Sequence, residues 1–140
     1  MAAVSDIIKR YDLSPLPGEG GYFRFIDTFG ENSGCIYYLI TSDTFSSLHR
    51  LTDDEMWFFL EGGKAEQFII HPDGREEVRI LSEEMRHSLV NAGCFQGTKL
   101  VSGTYALFST VMSPLYSDEM YSSPDETILR SHPKAKEYLP

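Results

Sequence analysis

The chain has 140 residues, a length that suits one domain whose core buries roughly two thirds of the unfolded surface without help from disulfides. Its 12 Lys and Arg stand against 21 Asp and Glu, for a formal net charge of -9. That balance excludes the basic stripe needed to grip a phosphate backbone, so nucleic acid is not an expected partner, although two or three Arg at one pocket can still hold a single phosphate.

Cys35 and Cys94 match no zinc spacing and are expected as free thiols of a reducing compartment. No basic start leads into an apolar secretory core, and no apolar run nears the roughly 20 residues of a membrane span. A soluble, cytoplasmic protein with no membrane partner is therefore expected.

Val4, Ile7, Ile8 and Tyr11 recur at helical spacing, which predicts a short amphipathic docking helix over 4–11 with Ser5 or Asp6 as its cap. Pro15, Pro17, Gly18, Gly20 and Gly21 then forbid regular structure, and the chain leaves them as a strand over Tyr22 to Asp27. Alternation puts Tyr22, Arg24 and Ile26 on one face and Phe23 and Phe25 on the other. Arg24 reads either as a solvated residue or as a pocket cation for an anionic ligand.

A turn over 30–34 precedes the apolar central strand Cys35 to Thr41, and Thr44 to Leu51 and Glu55 to Leu60 follow as strands. Strands over 66–71 and 75–81 flank His71-Pro72-Asp73-Gly74, a hairpin signal in which His71 reads as a solvated turn residue. A polar connection over 82–88 and a short lead-in over 89–91 reach the Gly93 turn. Gln96 to Val101 and Thr104 to Met112 are the last strands, and 115–121 carries no clear pattern. Ser123 as cap, Pro124 at the first helical position and acids in the first turn predict a helix to about Ser131, stopped by Pro133. Strands about ten residues apart without helical interruption indicate an all-β antiparallel sandwich or barrel, of which a jelly roll with short terminal helices is the natural instance, here as one domain over 1–140.

The chemistry concentrates in Phe45 to Gly62. His49 and Leu51 share one strand face; after the turn at Thr52-Asp53-Asp54, Glu55, Trp57 and Phe59 share another, and pairing the two strands makes His49, Glu55 and Trp57 converge. Arg50, Met56, Phe58 and Leu60 point the other way. An imidazole and a carboxylate aimed into an aromatic interior are costly unless they pair, hydrogen-bond or serve a ligand, so a structural pair and a ligand site are both open readings.

This stretch resembles the first motif of the cupin superfamily, with His49, Glu55 and Gly62 in register and Leu51 where that motif has a second metal-binding His. Asn91-Ala92-Gly93-Cys94-Phe95-Gln96 resembles the second motif, with Asn91 for its Pro and Gln96 for its His. The loop Pro17 to Arg24, the strand Ile36 to Ile40, Phe45 to Glu55 and the His71 hairpin are similar to the small cupin type five family of unassigned function, from Leu16 to about Pro133.

The resemblance implies a cupin-type barrel and a homodimer in which Tyr22 to Asp27 joins the partner's sheet. It also implies a metal set that is incomplete here: His49, Glu55 and at best the Gln96 oxygen. No cofactor, or only a weakly held divalent ion, is therefore expected.

Ser46-Ser47-Leu48-His49 is similar to the strand that carries the general base of cupin nucleotide-sugar epimerases, although Ser stands here for their Arg. That likeness implies a metal-independent epimerase or isomerase. Of the catalytic pair His49 and Glu55, His49 would abstract a proton next to a carbonyl and Glu55 or a neighbour would set its tautomer; Tyr38, Tyr105 or Tyr116 would be the acid, Arg24 or Arg50 would meet phosphate, and Tyr22, Trp57 or Phe59 would stack on base or sugar. The expected ligand is thus a small anionic one, a nucleotide, nucleotide sugar or sugar phosphate. A non-catalytic ligand-binding module and a metal-binding cupin enzyme are the alternatives.

Overall fold

The computed structural model of the chain describes residues 3–140. Helix α1 (Val4–Arg10) and the two-residue strand β1 (Ser14–Pro15) lead into β2 (Tyr22–Phe29), β3 (Ser33–Thr41), β4 (Ser46–Leu51), β5 (Glu55–Gly62) and β6 (Ala65–Ile70). Strands β7 (Glu76–Leu81), β8 (His87–Val90), β9 (Phe95–Leu100) and β10 (Tyr105–Met112) complete the barrel. A 3-10 turn at Asp118–Met120, β11 (Tyr121–Ser122), α2 (Glu126–Ser131) and a 3-10 helix at Pro133–Tyr138 follow. The strands form two antiparallel sheets, ordered β1-β2-β3-β10-β5-β8 and β11-β4-β9-β6-β7, the jelly-roll layering expected from the strand pattern.

Side-chain alternation sets the layers. Tyr38, Ile40, Trp57, Phe59, Ile69, Leu81 and Phe108 point between the sheets and pack at one end of the interior, where Trp57 and Phe59 each meet Phe108 edge to face. The first sheet's outer face is covered by α1, whose Ile7 packs with Leu13, Leu39, Tyr105 and Leu107. The second sheet's outer face is covered by the C-terminal segment, where Tyr138 stacks on Phe68 at 5.6 Å between ring centroids. With both outer faces partly sheathed, the other end of the interior is left open to solvent.

Four local readings change. β2 runs two residues past Asp27, bent by a register shift between Phe25 and Asp27. The end of the stretch read as a polar connection and most of the lead-in after it form β8, which pairs with β5 from His87↔Phe58 to Val90↔Glu55; its alternate residues Ser88 and Val90 are buried, a pattern too short to register as a strand. The cap of α2 is Asp125, whose carboxylate accepts from the Ile128 amide at 2.9 Å, in place of Ser123. His71 is mostly buried, its Nε2 donating to the Glu77 carboxylate at 2.8 Å and its Nδ1 lying 3.6 Å from the Cys94 sulfur. The strand across the hairpin supplies Glu77 and the loop before β9 supplies Cys94, and nothing in the turn's own residues announces them.

Candidate functional site

A cavity of about 540 Å³ opens at the unfilled end of the barrel. Strands β4 and β5 bring His49, Leu51, Glu55 and Trp57 to its wall, and β3 brings Tyr38. His49 is 1% and Glu55 8% exposed, so the face assignment made from alternation holds.

The seating of His49 follows from an irregularity in β4. The β4–β9 ladder slips between Ser46 and His49, and a slipped ladder leaves backbone groups without a strand partner. Both such groups of Ser47 are used: its N–H donates to the Glu19 carbonyl at 2.9 Å, and its carbonyl accepts from His49 Nδ1 at 2.7 Å. A carbonyl only accepts, so Nδ1 carries the proton in the neutral ring and the Nε2 lone pair is left free. Nε2 lies 3.8 Å from Glu19 Oε1, and Tyr121 stacks on the imidazole at 4.9 Å, 8° from parallel.

Glu19 arrives from a loop. Gly20 and Gly21 have φ of 98° and 75°, the left-handed region that only glycine enters freely. A Cβ on Gly21 would stand 2.8 Å from the Leu39 carbonyl oxygen, and one on Gly20 would clash with that of Phe45. The Tyr38 hydroxyl donates to the Gly20 carbonyl at 2.6 Å, and Ser46 Oγ donates to Glu19 Oε2 at 2.9 Å. The acid is thereby tied down on both sides.

Gln96 lies behind this wall, 1% exposed. Trp57 Nε1 only donates, so the atom it meets at 3.0 Å must be the amide oxygen, and the amide nitrogen is then the one that donates to Glu55 Oε1 at 3.1 Å. Burial and the nearby Glu19 charge raise the pKa of Glu55, against the lowering pull of His49 and of hydrogen bonds from Thr110 and Gln96. Burial, with Glu19 second, also raises Tyr38 well above the usual phenol range. Tyr116 and Tyr121, both at the cavity, are pushed up to about 12, each mainly by burial. These hydroxyls hold their protons at neutral pH.

The structure brings together His49, Glu55 and Trp57, with Gln96 one layer behind, and sends the other expected site residues elsewhere. Arg24 is exposed, its guanidinium 3.5 Å from the Tyr11 carbonyl, because β2 gives its cavity-side positions to the half-buried Phe23 and to Phe25, which stays exposed at the mouth. Arg50 points outward over the Phe95 ring at 5.2 Å. Tyr22 packs beside α1, and Phe59 is consumed by the closed core. Tyr105 belongs to the α1 contact as well, which leaves Tyr38 and Tyr116 of the three acids considered. Glu19, Tyr121 and Asp118 were not singled out from sequence, yet all three line the cavity. Among the described residues, no Lys or Arg belongs to its lining.

The metal implied by the cupin likeness can be tested on these donors. Leu51 presents hydrocarbon, and the Gln96 oxygen is already bound to an indole N–H while its nitrogen faces Glu55. Among the described residues no group of three or more His, Cys, Asp or Glu side chains could hold a metal ion. The donor set does not fit one.

Two antiparallel sheets closed into a jelly roll, with polar side chains projecting from β4 and β5 into its open end, define a cupin-type protein. More narrowly, the chain belongs to the family described as Cupin superfamily (DUF985), whose model matches residues 5–122. Among solved structures, protein SO0799 from Shewanella oneidensis is similar at 24% identity and a TM-score of 0.90, over 100% of this chain and 99% of that one. A hypothetical protein from Leishmania major is similar at 20% identity and a TM-score of 0.88, over 99% of each. Looser fold likenesses reach a mutant of Bacillus subtilis oxalate decarboxylase, with 18% identity and a TM-score of 0.66 over 90% of this chain and 36% of that one. Another is CapF, a capsular polysaccharide assembling protein of Staphylococcus aureus, with 10% identity and a TM-score of 0.65 over 79% of this chain and 31% of that one. No curated protein matches the chain. No helix among the described residues is long and apolar enough to cross a membrane.

Proposed function

We propose that this cavity binds a small organic carbonyl compound, such as a keto-sugar, and moves a proton on it without a resident metal, in the manner of an isomerase or epimerase. The observation that carries this reading is the His49 ring, fixed by Ser47 with a bare Nε2 at the cavity wall. Such a nitrogen is a general base, and the Glu19 carboxylate at 3.8 Å stabilises the imidazolium that forms. Tyr116 or Tyr121, each with a raised pKa, returns a proton from elsewhere on the wall. Tyr38 is a poorer acid, since its hydroxyl is already donated to Gly20.

The phosphate of a nucleotide sugar finds no Lys or Arg in the lining and meets Glu19 and Glu55 instead, so the reading narrows to the unphosphorylated part of the ligands expected from sequence. A binding module would use the same walls without exchange. Solvent-deuterium incorporation into a panel of keto-sugars, read by mass spectrometry, separates the two. Exchange is expected with the native protein and should fall by a factor of about 10² or more in His49→Gln. Exchange that persists in a folded His49→Gln protein, or that the native protein never shows, rejects the enzymatic reading.

The expected dimer also has a physical basis. β1 pairs with β2 only at Tyr22 and Phe23, which leaves the outer edge from Arg24 onward without a strand partner among the described residues, beside the exposed Phe25, Ile26 and Phe29. A second copy adding there satisfies the edge and covers those apolar side chains. Light scattering that returns a monomer at micromolar concentration would reject it. The unpaired cysteines suit the reducing cytoplasm.

A further inference from the structure

We infer that the ligand this cavity selects is a small organic ammonium ion; the inference rests on the cavity being the ligand site and adds the charge class of its occupant. Its walls carry the rings Phe23, Phe25, Tyr38, Trp57, Tyr116 and Tyr121. A ring attracts a cation that reaches its face, most strongly a poorly hydrated one such as an alkylated ammonium, and one face of Tyr121 is already stacked on His49.

Carboxylates sit among these rings. Glu19 and Glu55 lie in the wall and Asp118 at the exposed rim, with no Lys or Arg lining the space to neutralise them. Glu55 takes part in no ion pair among the described residues, and Glu19 only in the contact with His49. Three of the chain's cations lie over other rings, Arg50 over Phe95, Arg86 over Phe59 and Lys99 over Tyr138. The net charge of -9 draws cations toward the molecule and repels the anionic alternatives.

Trp57 is the single tryptophan of the chain and stands in the cavity wall, so its fluorescence reports occupancy without a label. Titrations with tetramethylammonium and choline should give saturable changes. Dimethylbutanol, the uncharged carbon isostere of choline, should bind about tenfold or more weakly than choline, and uridine diphosphate glucose should not bind. Magnesium and zinc, each with and without chelator, should leave the choline curve in place. Glu19→Gln should weaken choline about fivefold or more while leaving dimethylbutanol unchanged; if that variant fails to fold, Asp118→Asn at the exposed rim should weaken choline about twofold.

Equal binding of choline and dimethylbutanol overturns the inference, as does tighter binding of the nucleotide sugar, the absence of any response, or choline binding indifferent to a folded Glu19→Gln. Those failures leave the deuterium-exchange reading untouched. Conversely, exchange that ignores His49 would sink proton transfer and leave the ammonium titration standing.

Discussion

Two polar clusters lie inside this barrel, and they treat charge in opposite ways. Between β6, β7, β8 and β9 a continuous chain runs from Thr98 through Gln67, Ser88, Arg79 and Glu77 to His71. Arg79 grips Glu77 through two nitrogens and also donates to the Leu89 carbonyl at 2.7 Å, and together with His71 it holds Glu77 down at about 2. At the cavity, Glu55 and Glu19 are satisfied by hydrogen bonds from Gln96 and Ser46 but meet no guanidinium or ammonium, and Glu55 is pushed up by burial and by its neighbour. The first cluster is complete in itself, as a structural network must be. The second satisfies its hydrogen bonds and leaves its charge uncancelled, which is the signature of a place where something else is expected.

The largest effect should come from cutting the link between the cavity wall and the core. Gln96→Leu strands the Trp57 N–H and removes the amide donor of Glu55, and with each orphaned group costing about 1–3 kcal/mol the variant should lose about 2–4 kcal/mol in urea unfolding. A loss under about 0.5 kcal/mol would mean that the two clusters are not as different from ordinary packing as they look.

Breaking the paired cluster should cost somewhat less, because it is half open to water. Arg79→Met leaves Glu77 with His71 alone and removes a donor from Ser88 and Leu89, for an expected loss of about 1–3 kcal/mol. The acid limb should change too. Glu77 ionises more easily folded than unfolded, so its contribution is present above the ordinary carboxylate pKa and lost as pH falls toward 2. The native protein should therefore be more sensitive to acid over that window than Arg79→Met.

The smallest effect has the opposite sign. Glu55 has a raised pKa, so its contribution is full below the ordinary carboxylate value and is lost as pH rises through the raised one. Glu55→Gln keeps a hydrogen-bonding group and removes that loss. Its melting temperature relative to the native protein should climb between acid and neutral pH, and a difference that stays flat across this range would place a compensating cation beside Glu55.

Much of this was legible in the residues themselves. Alternation alone put His49, Leu51, Glu55 and Trp57 on one wall, and they do line it. On β2 the same rule separated Phe23 and Phe25 from Tyr22 and Arg24 correctly but left open which side meets the cavity, since both faces are aromatic; the packing of Tyr22 beside α1 puts Phe23 and Phe25 on the cavity side and leaves Arg24 in water. Glu19 escaped because it rides a glycine-rich loop that has no period, and the backbone that aims it depends on Tyr38 and Ser47 from elsewhere in the chain. Tyr121 escaped because a two-residue strand is too short for any pattern, and its place is set by pairing with Leu51.

That contrast in origin has a consequence for how such a protein can change. His49, Glu55 and Trp57 are spaced by sheet ladders and cannot drift without unzipping them, whereas Glu19 is held by a phenol, a serine and one amide at the end of a glycine pair. Selectivity in this scaffold is therefore most readily retuned by recasting residues 17–21, the adjustable jaw of a clamp whose other jaw is the barrel itself.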